Sequence, residues 1–303
     1  MKKHIQVITI VLIISRSYAC SQNGIINNQS ENPFTKYKEL VSGTLGTYAL
    51  PPRLSDGQID MDRLIAELTD IHANTYNWLV RNKKDDLDAL KQFLPLAKKA
   101  KIKLWVTLVP PSEPPPSEPY DLDFEQWAVQ LAKLSLQEPN LVAWSIDDFV
   151  HNLVTFTPEY TKKLLDTAKV INPKLTFLPC CYYSKITPFF VTLYGHILNG
   201  ILFPYRAESE GANLQNASLA ETEIANLRTM FEPDFPIVLD IYASPHSKLG
   251  ATTPEYVNKV LLAGMKSADG VLIYCHQNPV TQSEKYQIIK QGFMQYDLLK
   301  PDK

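Results

Sequence analysis

The chain has 303 residues, 45% of them hydrophobic and 20% charged, with a formal net charge of −2. That apolar fraction supports a sizeable buried core and excludes a disordered chain. Lys and Arg nearly balance Asp and Glu and no long basic run occurs, so neither a nucleic-acid footprint nor a polybasic membrane patch is expected.

Residues 1–20 stand apart. Met1-Lys2-Lys3 gives a positive start, Ile5 to Ile14 is almost wholly aliphatic, and Ser17-Tyr18-Ala19-Cys20 brings small residues to a cleavage point. This is the pattern of a secretory signal peptide, too short to span a bilayer as a mature helix. Two processing routes fit: cleavage after Ala19, or a lipobox-like route that leaves Cys20 as a lipidated first residue. A polar tether over 21–38 then leads to a single domain over 39–303. The expected location is outside the cytoplasm, secreted or as a membrane-anchored lipoprotein whose only membrane contact is the N-terminal lipid. The remaining cysteines, Cys180, Cys181 and Cys275, offer no disulfide framework and no Cys-x-x-Cys metal knuckle, and read as small core residues.

From residue 41 onward one rhythm holds. Short β-branched or aromatic runs fall near 41–48, 74–80, 102–109, 141–147, 175–182, 199–205, 236–242 and 269–276. Amphipathic helical patterns lie near 60–72, 85–100, 123–137, 158–171, 186–197, 218–231, 254–267 and 283–299. Thr157-Pro158-Glu159 and Thr253-Pro254-Glu255 are helix starts with a cap, a proline in the first turn and an acid beside it. Eight strands alternating with eight helices, without a composition break, predict a single-domain (β/α)8 TIM barrel. A doubly wound open sheet is the competitor, but no Gly-x-Gly-x-x-Gly follows the first strand. Pro110 to Pro119 reads as a stiff surface spacer, with a cleft wall based on Glu113 as the other reading.

In such a barrel, chemistry gathers at the C-terminal ends of the strands. The segment A-W-S-I-D-D-F-V-H-N, residues 143–152, is a strand running into acids. A period of two sends Val142, Trp144 and Ile146 toward the helices and Ala143, Ser145 and Asp147 into the lumen, with Asp148 ambiguous. On the seventh run the same logic turns Val238, Asp240 and Tyr242 inward. The candidate catalytic residues are therefore Asp147 and Asp240, with Asp148 as the alternate. Asn77, Trp78, Tyr182, Tyr205, Arg206, Glu208, Tyr242, Tyr274, His276 and Gln277 are expected around the same rim as substrate-binding groups. Paired carboxylates among aromatic rings suit glycoside chemistry: one acid protonates the leaving oxygen, the other acts as base or nucleophile, and flat rings cover sugar faces. No cofactor and no metal is expected. His151, His246 and His276 show no close ligand spacing, and no Gly-x-Ser-x-Gly elbow supports an esterase.

On A-W-S-I-D-D-F and this arrangement, the mature chain resembles the glycoside-hydrolase-type TIM barrels of secreted and lipid-anchored bacterial proteins. Where such barrels commonly carry Asn-Glu on strand four, this chain carries Asp147-Asp148. The resemblance implies a glycan-acting hydrolase outside the cytoplasm with a carbohydrate as its partner. A non-catalytic glycan-binding barrel and a metal-dependent hydrolase using Asp147, His151 and His276 are the alternatives.

Overall fold

The computed structural model describes residues 32–81, 85–205, 214–245 and 249–299. The leader, Cys20, most of the tether, Arg206, Glu208 and His246 lie outside them. Helix α1 (Thr35–Val41) precedes eight parallel strands: β1 (Thr44–Ala49), β2 (Thr75–Val80), β3 (Lys103–Leu108), β4 (Leu141–Ile146), β5 (Thr176–Phe177), β6 (Ile201–Pro204), β7 (Ile237–Tyr242) and β8 (Gly270–Tyr274). Each strand is followed by a helix, in order α2 (Met61–Asp70), α3 (Asp85–Lys99), α4 (Phe124–Gln137), α5 (Pro158–Ile171), α6 (Pro188–Tyr194), α7 (Ala220–Met230), α8 (Pro254–Ser267) and α9 (Ser283–Leu299). The strands pair in the order β5-β4-β3-β2-β1-β8-β7-β6. The expected TIM barrel is what forms. None of the described helices is long and apolar enough to cross a membrane.

The ring closes at β5 and β6 through one bridge, Cys180 to Leu202. Pro179 interrupts β5 and has no N–H to donate, so the ladder there is reduced to Cys181 N to Leu202 O at 2.9 Å and Leu202 N to Pro179 O at 3.0 Å.

The capping chemistry read from the sequence holds. Thr157 accepts from Tyr160 N at 3.2 Å and Thr253 from Tyr256 N at 3.1 Å, and Thr187, ahead of Pro188, repeats the device with Phe190 N at 3.1 Å.

Alternation sorts the strands into two cores. Outward residues such as Trp78, Trp144, Ile146, Phe203, Leu239 and Ile273 pack against the helices. Inside, Trp105, Ala143, Leu178, Leu202, Val238 and Leu272 fill the lumen toward its N-terminal end. Gly46 belongs to this inner face, where a Cβ would lie 2.2 Å from Thr75 O and 2.9 Å from the Leu272 side chain, so only glycine fits.

Two early expectations shift. Val142 joins the inner cluster instead of the helix side, beside a register irregularity between Leu104 and Trp105 that breaks strict alternation. Residues from Thr35 on, expected as tether and then strand, form α1, because Phe34, Tyr37 and Val41 share one face and are buried. Val41 enters the inner cluster and Leu40 O accepts from Lys103 Nζ at 2.7 Å, so α1 closes that end of the barrel.

Candidate active site

Above the apolar tier the lumen becomes polar. Asn77, Thr107, Ser145 and Asp240 are all at most 2% exposed, and Thr107 Oγ1 donates to Asn77 Oδ1 at 2.9 Å. At the C-terminal mouth the strands deliver Tyr48, Asp147, Cys180, Tyr242 and Tyr274.

Asp147 follows the last residue of β4, and its N–H donates to Leu108 O at 3.0 Å, which extends the ladder one residue and keeps the side chain lumenal. Both its carboxylate oxygens accept bonds: Oδ2 from Tyr48 OH at 2.6 Å, Oδ1 from Asp148 N at 3.0 Å. Burial raises its pKa, the neighbouring Asp148 charge adds to this, and the bond from Tyr48 opposes both.

Asp240, inward on β7 as expected, is 2% exposed, and its Oδ1 has no hydrogen-bond partner. Burial pushes its carboxyl well above the usual carboxylate range, and the charge of Asp147 adds to the effect. Asp240 thus senses Asp147 across the mouth.

Asp148, ambiguous in the sequence, is resolved. It takes the left-handed region at φ 45° and opens the 3-10 turn Phe149–His151, a backbone state costly for most residues but tolerated by Asp. Tyr182 OH donates to its Oδ1, and its own carbonyl accepts from Asn152 Nδ2 at 2.9 Å. Asn152 also joins Ser112 twice, Nδ2 to Oγ at 2.9 Å and Oδ1 from Ser112 N at 3.1 Å, so the proline-rich segment braces the loop after β4. His151 stacks on Tyr182 with ring centroids 4.8 Å apart.

Tyr242 and Tyr274 stack at 4.5 Å and 28°, and Tyr48 lies 5.3 Å from Tyr274, making an aromatic wall beside Asp147. Tyr182 and Tyr242 are nonetheless buried, and Tyr274 is half-buried. Gln277 is also buried and donates to Ser244 Oγ at 3.0 Å and Cys275 O at 2.8 Å, tying the loops after β7 and β8 together.

Three rim assignments are corrected. Trp78 alternates outward and packs against Phe93 at 5.5 Å. Tyr205 continues the outward parity of Phe203 and donates to Asn216 O at 2.7 Å. His276 follows the end of β8, where alternation stops; its ring lies edge-on to Tyr286 of α9, with Nε2 3.5 Å from Glu67 of α2, away from Asp147. That separates it from the metal set proposed with Asp147 and His151.

Sequence reasoning overlooked Tyr48 and the position of Cys180. Both follow from parity: Tyr48 is two residues past inward Gly46, and Cys180 two past inward Leu178.

No family profile matches the sequence, and no curated protein matches it significantly. Solved structures do. A GH2 β-galacturonidase from Eisenbergiella tayi, determined with galacturonate, is 12% identical with a TM-score of 0.59 over 84% of this chain and 51% of its own. A glucosidase from Croceicoccus marinus is 11% identical with a TM-score of 0.60 over 84% of this chain and 68% of its own. The fold is the TIM barrel that these glycosidases use. The chain spans about half the length of the galacturonidase. A protein described as QR15, an aldolase, also matches at 11% identity with a TM-score of 0.50, over 86% of this chain and 99% of its own. The likeness is therefore one of fold, and the chemistry has to be argued from the mouth.

Proposed function

We propose that the protein is a glycoside hydrolase acting outside the cytoplasm, using Asp147 and Asp240 as a carboxylate pair on a carbohydrate. The observation that carries this reading is the placement of the two acids: one from the end of β4, one from β7, both lumenal, with Asp240 within reach of the Asp147 charge. The hydrogen bonds on both oxygens of Asp147 suit the anionic partner, base or nucleophile. Buried Asp240, with an unpartnered oxygen, suits the group that carries the proton to the leaving oxygen. Tyr48 holds Asp147 in orientation, and half-buried Tyr274, backed by buried Tyr242, offers the apolar face that a sugar ring stacks on. The glycosidase neighbours support the substrate class, and the leader pattern of Met1 to Cys20 supports the location, secreted or lipid-anchored.

The test is turnover of a panel of glycans by wild type, Asp147→Asn and Asp240→Asn. Each variant is expected to lose about 10²- to 10⁴-fold in kcat, the usual contribution of a positioned acid or base, while still binding the glycan. Wild type that binds a glycan without cleaving any of the panel, or variants that keep full turnover, sinks the hydrolase reading.

A further inference from the structure

Sugar chemistry leaves one part of the mouth unused. The Cys180 thiol, in a residue only 3% exposed, sits with the carboxylates of Asp147 and Asp148, one donor atom from each lying within 4.8 Å of the other two. The three come from the adjoining ends of β4 and β5, and Cys180 N donates to Ile146 O at 3.0 Å, so one joint of backbone holds them together. Asp240 is a second, separate observation. Its unpartnered, buried Oδ1 faces the lumen from β7, close enough to feel the charge of Asp147 and to act on the Cys180 thiol. Among the described residues no lysine or arginine lies within ion-pair distance of these three carboxylates, and the basic group nearest to them is His151, its Nδ1 3.8 Å from Asp148 Oδ2. Acidic groups crowded into a poorly solvated space repel one another, and a proton or a positive ion between them relieves the repulsion.

We propose that Asp147, Asp148 and Cys180 form a binding site for a divalent cation of the zinc class. The donor set selects the ion: magnesium and calcium take oxygen alone, whereas zinc accepts thiolate and carboxylate together. Zinc bonds of about 2.0–2.3 Å place tetrahedral donors roughly 3.4–3.6 Å apart, so the donors have only about 1 Å to close. Three protein ligands leave a fourth position for water, and Asp240 Oδ1 is the acceptor waiting for it. On binding, Cys180 releases its thiol proton to solvent as the sulfur–metal bond forms. The ion occupies lone pairs of Asp147, so metal and sugar chemistry exclude each other, and zinc inhibits any turnover that Asp147 supports. The site itself stands whether or not the mouth cleaves a sugar.

Cobalt(II) titration of the purified protein is the test, followed by displacement with Zn²⁺. Wild type is expected to develop thiolate-to-cobalt charge-transfer absorption that Zn²⁺ abolishes. Cys180→Ser loses the absorption, while Cys181→Ser, at a neighbouring thiol perturbed by burial alone, keeps it. Asp148→Asn weakens Zn²⁺ binding about 10-fold or more, at least the effect of removing an outer-shell partner. Absence of the band at saturating cobalt, its survival in Cys180→Ser, or an unchanged Zn²⁺ affinity in Asp148→Asn overturns the proposal. The Asp148 variant answers even if Cys180→Ser folds poorly.

Discussion

Replacing Asp240 by leucine should make the protein more stable while ending its proposed activity. The side chain is 2% exposed, Oδ1 has no hydrogen-bond partner, and burial, with the Asp147 charge adding to it, pushes the carboxyl well above the usual carboxylate range. A buried polar group without a partner costs about 1–3 kcal/mol. Leucine has the same branching and is flanked across the ladder by Pro204 and Leu272, so the cost is removed without adding bulk. At about 2 °C per kcal/mol for a chain of this size, Tm should rise by roughly 2–6 °C. The pH dependence gives an internal check. A carboxyl whose folded pKa is raised contributes stability that is fully present below its unfolded value of about 3.9 and is lost as pH rises toward the folded value. The advantage of Asp240→Leu should therefore be smallest near pH 4 and grow toward neutrality. Calorimetric melts of both proteins across that range decide the matter: a Tm below wild type, or a gain that does not vary with pH, refutes the account of Asp240 as a strained acid whose charged form the fold disfavours.

Tyr48→Phe removes a bond to a charged acceptor worth about 1.5–3 kcal/mol; Tm should fall by roughly 3–6 °C, and kcat on any cleaved glycan should fall about 10-fold or more, since 1.4 kcal/mol is tenfold. His276 is shifted below its ordinary pKa, by burial first, with Glu67 opposing. Its contribution to stability is thus full above about pH 6.5 and lost as pH falls, so Tm measured between about pH 7.5 and 5.5 should drop less in His276→Gln than in wild type. Gly46→Ala forces a methyl onto Thr75 O, and urea unfolding should show a loss of about 3 kcal/mol or more, at the severe end of overpacking; a loss below 1 kcal/mol would show that β1 and β2 can move apart freely.

The barrel was legible because its signals are local. Strand and helix periods, and the Thr-Pro starts at 157 and 253, depend on residues a few positions apart, and the structure keeps them. Asp147 and Asp240 were legible for the same reason, since alternation alone turns them inward. Alternation failed at its edges. Val142 sits at a register shift, and His276 lies past the last residue of β8, where nothing fixes which way a side chain points. Trp78 and Tyr205 lie near the mouth ends of their strands, which places them at the rim by position, but their strands' parity sends them outward. The bond from Tyr48 to Asp147 spans 99 residues, and no short-range pattern carries a contact that only ring closure creates.

That closure has a mechanical consequence. Most neighbouring strands are joined by ladders of four to six paired residues, whereas β5 and β6 share a single bridge. The barrel is therefore a split ring, and a split ring opens at its gap. One lip carries Cys180 and Tyr182, the other Leu202 and Pro204, so spreading the lips would enlarge the opening beside Asp147 and Asp148 while the long ladders stay whole. Among strand amides, those of Cys181 and Leu202 should exchange with deuterium soonest, reporting a gate built into the wall of the ring.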